Sequence, residues 1–210
     1  MVAVPDAEEV GLVGSLSRPG GNITGLTLSY ASLLNEQVAL VRNVLPAAST
    51  IGLLQNPENP DHGRLLKHAR TAVTALRMTE ETFSIAGARD IRRAFEVIAA
   101  RQPEALLVLD DPLLYRGEVM FEALQLRLPV VGLDRQIPRG GGLMSYGPNR
   151  VGMYGQSAAF IDRILRGTPP AQLPVEEPRK MELVLNGTTA RALGLTIPPS
   201  LLLRADKIIE

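Results

Sequence analysis

The sequence predicts an α/β protein built on a doubly wound parallel sheet, and two observations carry this prediction. Between residues 49 and 133, short β-rich runs alternate with segments whose apolar residues recur at helical spacing. One of these runs, ALLVLD (105–110), is apolar almost throughout, which is typical of a strand covered by helices on both faces. Strands and helices that alternate in this way form right-handed crossovers and therefore a parallel sheet.

The individual elements follow in chain order. A first helix is marked by Leu34, Val38, Val41 and Leu45, and Pro46 ends it. The predicted strands are STIGLLQ (49–55), ETFSIA (81–86), ALLVLD (105–110), LPVVGL (128–133) and MELVLN (181–186). Further helices are marked by apolar residues within 65–76, 91–99 and 117–125, and by Tyr154, Ala158, Ile161 and Leu165. The tail from residue 194 is broken by prolines and is predicted to end in a short helix.

Composition narrows the possible functions. The chain has 210 residues, enough to bury a core, with 22 basic and 22 acidic side chains. This balance argues against nucleic acid or an anionic membrane as a partner, because both select a broad positive field. No apolar run approaches the ~20 residues that span a bilayer. Since Cys is absent, disulfides, thiolate metal sites and Cys nucleophiles are excluded.

Motifs for catalysis, metals or cofactors are not found. His62 and His68 are six residues apart, not the four that place two imidazoles on one helical face for zinc, and they are predicted to be surface residues. No G-x-S-x-G elbow, G-x-G-x-x-G loop or P-loop occurs. The sequence therefore nominates no catalytic residue, no metal ligand and no cofactor.

The segment GLLQNPENPDHG (52–63) places polar residues where a predicted strand ends. In an open parallel sheet, ligands bind beyond the carboxyl ends of the strands. The prolines that follow Asn56 and Asn59 keep both asparagines out of helical conformation, and Asp61 is predicted to cap the next helix. We therefore expect a rigid loop that presents carboxamides to a small molecule.

Two more strand ends carry acidic residues in the equivalent position. Asp110 and Asp111 follow ALLVL, and Asp134 follows VVGL. Neighbouring carboxylates suit an ammonium group, and Asn59 suits an amide or a carboxylate. Any one of these residues is better explained as a turn or N-cap residue. Their coincidence at three strand ends of one rim favours a ligand site.

Two stretches rich in Gly, Pro and Asn interrupt the alternation of strands and helices. They are SRPGGNITG (17–25) and PRGGGLMSYGPN (138–149). This composition is typical of turns and chain crossings. We expect hinges or lobe boundaries at both.

Six ordered segments are spread along nearly the whole chain: SLSRPGGNITGLT, LLQNPENP, LLVLDDPL, GGLMSYGPN, ILRGTPPAQLPVEEP and ELVLNGTTARALGLTIPPSLLLRAD. Together they resemble the substrate-binding proteins of ABC transporters of the tryptophan and tyrosine uptake type. The resemblance implies the periplasmic-binding-protein type I fold, in which two α/β lobes, joined by three chain crossings, close on a ligand.

The resemblance also implies how the chain is divided and what it binds. Residues 1–29 and 136–172 form a partial first lobe, and residues 30–135 and 173–210 form a complete second lobe. The implied ligand-binding residues are Asn59, Asp110, Asp111 and Asp134 from the second lobe, with Ser145 and Tyr146 from the first-lobe side. The implied solute is amino-acid-like, often aromatic, the implied partner is a membrane permease, and the implied location is periplasmic or lipid-anchored.

The start of the chain departs from the family pattern. Members begin with a leader and the opening strands of the first lobe, whereas MVAVPDAEEVGLVGSL is similar to the middle of that lobe. The resemblance therefore implies a truncated first lobe. Residues 1–6 have neither a basic start nor an apolar region, so the sequence predicts no export signal.

Two alternatives remain open. The ligand-sensing domain of a LacI-type transcriptional regulator has a similar plan, but it follows a helix-turn-helix segment, which this chain does not show. A flavodoxin-like or nucleotide-binding enzyme requires phosphate-binding or catalytic motifs that are also not found.

Overall fold

The computed structural model describes residues 1–2 and 4–210, which form two compact units. The first unit comprises Met1–Tyr30 and Pro148–Met181, and the second comprises Ala31–Gly147 and Glu182–Glu210. The chain therefore passes from one unit to the other three times.

The helices and strands have the following bounds. The strands are β1 Val4–Pro5, β2 Thr27–Leu28, β3 Thr50–Gln55, β4 Thr79–Ser84, β5 Ala105–Val108, β6 Val130–Gly132, β7 Met144–Pro148, β8 Met181–Asn186 and β9 Lys207–Ile209. The α-helices are α1 Tyr30–Val44, α2 His62–Ala75, α3 Ile91–Arg101, α4 Gly117–Gln125, α5 Gln136–Arg139, α6 Arg150–Leu165, α7 Gly187–Leu193 and α8 Pro199–Arg204. Short 3₁₀ helices occupy Ala88–Asp90 and Pro170–Gln172.

A seven-stranded sheet forms the centre of the second unit, in the order β4-β3-β5-β6-β7-β8-β9. The recorded pairings of β3 with β4 and β5, of β5 with β6, of β6 with β7 and of β8 with β9 are all parallel. The predicted doubly wound α/β sheet is confirmed. Because β3 lies between β4 and β5, the direction in which strands are added reverses at β3, and this reversal determines where a ligand site is expected.

Both faces of β5 are buried, as its apolar run predicted. Leu106 and Val108 pack into a core with the inward residues of α3 and α4, among them Phe95, Ile98 and Val119. Leu107, which points to the opposite face because side chains alternate along a strand, is also completely buried.

The five predicted strands correspond to β3, β4, β5, β6 and β8, and their ends shift by no more than two residues. The helix predicted within the tail is α8, but the prediction that the chain ends in a helix is wrong. Its last residues form β9, where Ile208 pairs with Leu185 of β8. Without β9, the backbone groups of β8 at this edge of the sheet would lack partners.

The Gly-rich stretch 138–149, where the sequence suggested a hinge or lobe boundary, contains the strand β7 of the sheet. The boundary between the two units, at Gly147 and Pro148, also lies in it. Met144 and Ser145 of β7 pair with Val131 and Gly132 of β6. A Cβ atom on Gly147 would lie 2.3 Å from the main-chain oxygen of Leu133. This glycine is therefore required by the close approach of two chain segments.

The boundaries of the units consequently differ from the sequence prediction at two places. Residues 136–147 lie in the second unit because β7 pairs within its sheet, whereas they were expected in the first lobe. Residues 173–181 lie in the first unit, where Leu26 forms a parallel bridge with Glu176 and Thr24 Oγ1 donates to the main-chain oxygen of Leu173 at 2.7 Å.

The first unit contains the parallel pair β1 and β2, the helix α6 and a small core that includes Ala7, Val13 and Val175. The helix predicted from Tyr154, Ala158, Ile161 and Leu165 is confirmed as α6, but this stripe does not pack: Tyr154 is 68% exposed and Leu165 81% exposed. The buried side chains of α6 are Met153, Ser157 and Phe160. Both stripes recur at helical spacing, so spacing alone does not distinguish them.

None of the helices in the described part of the chain has the length and apolar content needed to cross a membrane.

Glu104, just before β5, joins the amino-terminal ends of two neighbouring strands. Its Oε2 accepts hydrogen bonds from the main-chain nitrogens of Ser49 and Thr50, at 2.6 and 2.8 Å, and from the Ser49 hydroxyl at 3.0 Å. Partial burial raises the pKa of Glu104, but the hydrogen bonds from Ser49 and Thr50 outweigh it and lower the pKa below its ordinary value.

We predict that Glu104→Gln lowers the melting temperature at pH 7, and that the difference from the wild type shrinks in acid. The contribution of this carboxylate is present above its unfolded-state pKa of about 4.3 and is lost as the pH falls through its lower folded-state pKa. Thermal unfolding monitored by circular dichroism between pH 3 and pH 7 measures the effect. Glu96→Gln is the control, because Glu96 forms only an exposed pair with Arg92 at 3.9 Å. Equal melting temperatures of Glu104→Gln and wild type at pH 7 would contradict the prediction.

Candidate functional site

Two polar loops lie side by side where the strand order reverses. One connects β3 to α2, and the other connects β5 to α4. Because β3 and β5 are paired, with Leu54 opposite Val108, the loops leave the same edge of the sheet from neighbouring strands. This is the position at which open α/β sheets bind ligands.

The carboxylate of Asp111 joins the two loops. Its Oδ2 accepts hydrogen bonds from the side-chain nitrogens of Asn56, at 3.0 Å, and Asn59, at 2.8 Å. Its Oδ1 accepts the main-chain N–H of Leu113 at 2.8 Å. Asp111 is only 5% exposed, so three N–H donors compensate a buried charge.

The two asparagines are also bound to their own loop. The side-chain oxygen of Asn56 accepts the main-chain N–H of Glu58, and that of Asn59 accepts the main-chain N–H of Asp61, both at 3.0 Å. Each is an Asx turn, in which a side chain replaces a main-chain group of a turn. The carboxamides are therefore held in fixed orientations.

His62, at the start of α2, is buried with 1% exposure, so its prediction as a surface residue is wrong. Its Nδ1 accepts the main-chain N–H of Asn56 at 2.8 Å, and its Nε2 lies 3.4 Å from the main-chain oxygen of Asp110. This arrangement requires a neutral imidazole with its proton on Nε2. Burial lowers the pKa of His62, although the Asp110 oxygen and the nearby carboxylates of Asp111, Asp110 and Asp61 act in the opposite direction.

Asp61 does not act as the predicted cap. It precedes α2, but its side chain makes no capping hydrogen bond and instead pairs with Arg64 at 3.2 Å. The main-chain oxygen of Asn59 accepts the N–H of His62 at 3.1 Å, and that of Asp61 accepts the N–H of Leu65 at 3.0 Å. Turn geometry thus begins the helix without a side-chain cap.

Asp110 is more accessible than Asp111. Its side chain is half-buried, and its Oδ1 accepts a hydrogen bond from the hydroxyl of Tyr115. A carboxylate at the surface of this rim can meet a cationic group of a ligand, because it needs less desolvation than a buried one.

The remaining predicted site residues belong to β7 and to the end of β6. Asp134 and Ser145 are both buried, and Asp134 Oδ1 accepts the main-chain N–H of Gln136 at 2.8 Å. Tyr146 is half-buried and its main-chain oxygen accepts the side-chain N–H of Gln37 at 2.9 Å. Burial, followed by the charge of Glu36, raises the pKa of Tyr146.

The predicted residues therefore form two groups. Asn59 and Asp111 are in direct contact next to Asp110, whereas Asp134, Ser145 and Tyr146 lie one and two strands further along the sheet, about 5 Å per strand. Sequence reasoning placed Asn56 in the same carboxamide loop without naming it as a ligand-binding residue, and it did not identify His62 or Tyr115 as part of the first group. His62 carried a usable signal, since it precedes Leu65 and Leu66 by three and four residues on the buried face of α2. Tyr115 carried none.

The model of the ABC transporter substrate binding protein family matches residues 1–209. A solved structure of an ABC domain in complex with L-Trp from Streptococcus pneumonia is 26% identical, with a TM-score of 0.87 over 100% of this chain and 72% of that chain. A conserved domain protein from Vibrio cholerae O1 biovar El Tor is 27% identical, also with a TM-score of 0.87, over 99% of this chain and 70% of that chain.

One curated relative is a tyrosine-binding protein from Clostridioides difficile (strain R20291). It is 21% identical over 93% of this chain and 56% of its own length. The chain thus spans little more than half of the curated relative that it matches.

We predict that the protein loses stability as the pH falls below about 6.5, and that His62→Asn reduces this loss. The folded state favours the neutral imidazole, so protons bind preferentially to the unfolded chain between the unfolded-state pKa of about 6.5 and the lower folded-state pKa. Urea unfolding at pH 5.5 and pH 7.5 measures the difference in free energy of unfolding.

His68→Asn is the matched control, because it removes the other histidine, from the same helix, and leaves the hydrogen bonds of His62 in place. An unchanged pH dependence in His62→Asn would contradict the assignment of the neutral imidazole.

Proposed function

The chain belongs to the ABC transporter substrate-binding protein family, and from this membership we propose that it binds a small solute for an ABC importer. The proposed solute is an α-amino acid, with an aromatic side chain as the first choice. Two similar proteins support this choice, since one is a tyrosine-binding protein and the other was solved in complex with L-Trp.

One observation carries the proposal for the site. The polar loops after β3 and β5 meet at the reversal of strand order, with carboxamides on one side and a half-buried carboxylate on the other. A free amino acid is a zwitterion, so it needs hydrogen-bond donors for its carboxylate and an acceptor for its ammonium group. Asn59 supplies donors, and Asp110 supplies an anionic acceptor.

The proposed binding surface continues from the loops after β3 and β5 along the same edge of the sheet. Asp134, Ser145 and Tyr146 follow on β6 and β7, the next two strands from β5. In the proposed site, these three residues contact the part of the solute that lies farthest from the loops after β3 and β5. Tyr146, the most exposed of the three, offers an aromatic ring to an aromatic solute.

The proposed role is binding and delivery, not catalysis. A family of substrate-binding proteins hands its solute to a permease, and the proposed partner of this chain is the permease of an ABC importer. The corresponding location is the outer side of the cytoplasmic membrane. Membership of the family supports both parts of the proposal.

We expect L-tryptophan and L-tyrosine to bind and Asn59→Ala to weaken binding about tenfold, the equivalent of one hydrogen bond of roughly 1.4 kcal/mol to a charged group. Isothermal titration calorimetry of each amino acid into the purified protein measures the affinity. Circular dichroism confirms that the variant is folded.

Glu58→Gln is the matched control, because Glu58 contributes its main-chain N–H to the Asx turn of Asn56 and its side chain is exposed. Failure of the folded wild type to bind either amino acid would contradict the proposed solute. Binding that is unchanged in Asn59→Ala would contradict the proposed site alone.

A further inference from the structure

Asp111 has little capacity left for a ligand. Both of its oxygens already accept hydrogen bonds, two at Oδ2 and one at Oδ1, and the residue is buried. Its neighbour Asp110 is the more exposed of the two carboxylates. The adjacent acidic residues therefore have different environments, although the sequence does not distinguish them.

Each carboxamide bound to Asp111 retains one N–H. A carboxamide nitrogen carries two hydrogens, and Asn56 and Asn59 each direct one of them to Asp111. Within residues 1–2 and 4–210, the second N–H of neither side chain is hydrogen-bonded to a protein group. Both side chains are half-buried, so these N–H groups remain within reach of a small molecule.

The spacing of the two nitrogens suits a single acceptor group. Both bond the same oxygen, at 3.0 and 2.8 Å, so they are at most about 6 Å apart, close enough for one carboxylate to accept from both. The opposite ends of the carboxamides are fixed by Asx turns, which prevents either side chain from turning its oxygen outward.

We propose that Asp111 is a positioning residue of the binding site: it holds the carboxamides of Asn56 and Asn59 so that their second N–H groups bind the carboxylate of an amino acid. This inference rests on the proposed function and specifies which group of the solute meets which loop. Asp111 itself does not contact the solute. In this arrangement the amide nitrogens separate the carboxylate of Asp111 from the carboxylate of the solute. The charge of Asp111 is already compensated by three N–H donors.

A double-mutant cycle of Asn59→Ala and Asp111→Asn tests the proposal with L-tryptophan as the probe. Asparagine at position 111 has only one side-chain oxygen, so it cannot accept from Leu113 and from both carboxamides at once. Asn59→Ala is expected to bind about tenfold more weakly, and Asp111→Asn at least tenfold, because it releases both carboxamides. The double variant should bind no more weakly than Asp111→Asn alone, because the donor that Asn59→Ala removes is already displaced. A double variant that binds about tenfold more weakly than Asp111→Asn alone indicates that Asp111 and Asn59 contribute separately, and it would overturn the proposal.

Asp61→Asn is the control for the substitution itself. It makes the same chemical change in the same loop, at a side chain that pairs with Arg64 and has no contact with the carboxamides. Its affinity for L-tryptophan is expected to stay within about twofold of the wild type, an effect of the size expected from an exposed ion pair.

Nuclear magnetic resonance of the wild type provides a test that does not depend on the folding of any variant. Addition of L-tryptophan should shift the side-chain amide signals of Asn56 and Asn59 and leave the Asp111 carboxylate carbon nearly unchanged. A larger shift at the carboxylate carbon than at the amides would overturn the proposal. Failure of the wild type to bind either L-tryptophan or L-tyrosine would instead overturn the proposed function, and with it this inference.

Discussion

The burial of one charged carboxylate, Asp111, constrains the geometry of both loops of the candidate site, the one after β3 and the one after β5. An ionised group inside a protein is costly unless hydrogen bonds replace its water. Asp111 obtains them from its own loop and from both asparagines of the loop after β3. The two loops must therefore remain in register, which sets the positions of the carboxamides. His62 adds a second connection between the same loops through its two ring nitrogens.

The fold could be predicted from local sequence patterns because strands buried on both faces require apolar runs, and β3, β5 and β8 have them. The strands that were missed are of a different kind. β7 contains Gly147, which permits close approach to Leu133 and resembles a turn residue in the sequence. β9 is a three-residue strand at the edge of the sheet, with Lys207 exposed and Ile208 40% exposed. Its conformation depends on the neighbouring strand β8, which local sequence does not reveal.

The site could be predicted only in outline. Strand-end positions identified Asn59 and Asp111 as neighbours, because parallel strands end at a common edge. Which of two consecutive aspartates is buried depends on the direction in which the chain leaves β5, and the pattern of residue types does not contain that information. The capping role expected of Asp61 failed for a similar reason, since main-chain oxygens of Asn59 and Asp61 already accept N–H groups of the first turn of α2.

The Asx turns of the Asn-Pro loop have a kinetic consequence. Because both carboxamides are already immobilised by main-chain N–H groups and by Asp111, their conformational entropy is lost during folding and not when a solute arrives. Because of this preorganisation, the Asn-Pro loop does not have to become ordered when a solute binds to it. Solutes of similar size should then associate with the Asn-Pro loop at similar rates. Selectivity among them should appear mainly in their dissociation rates.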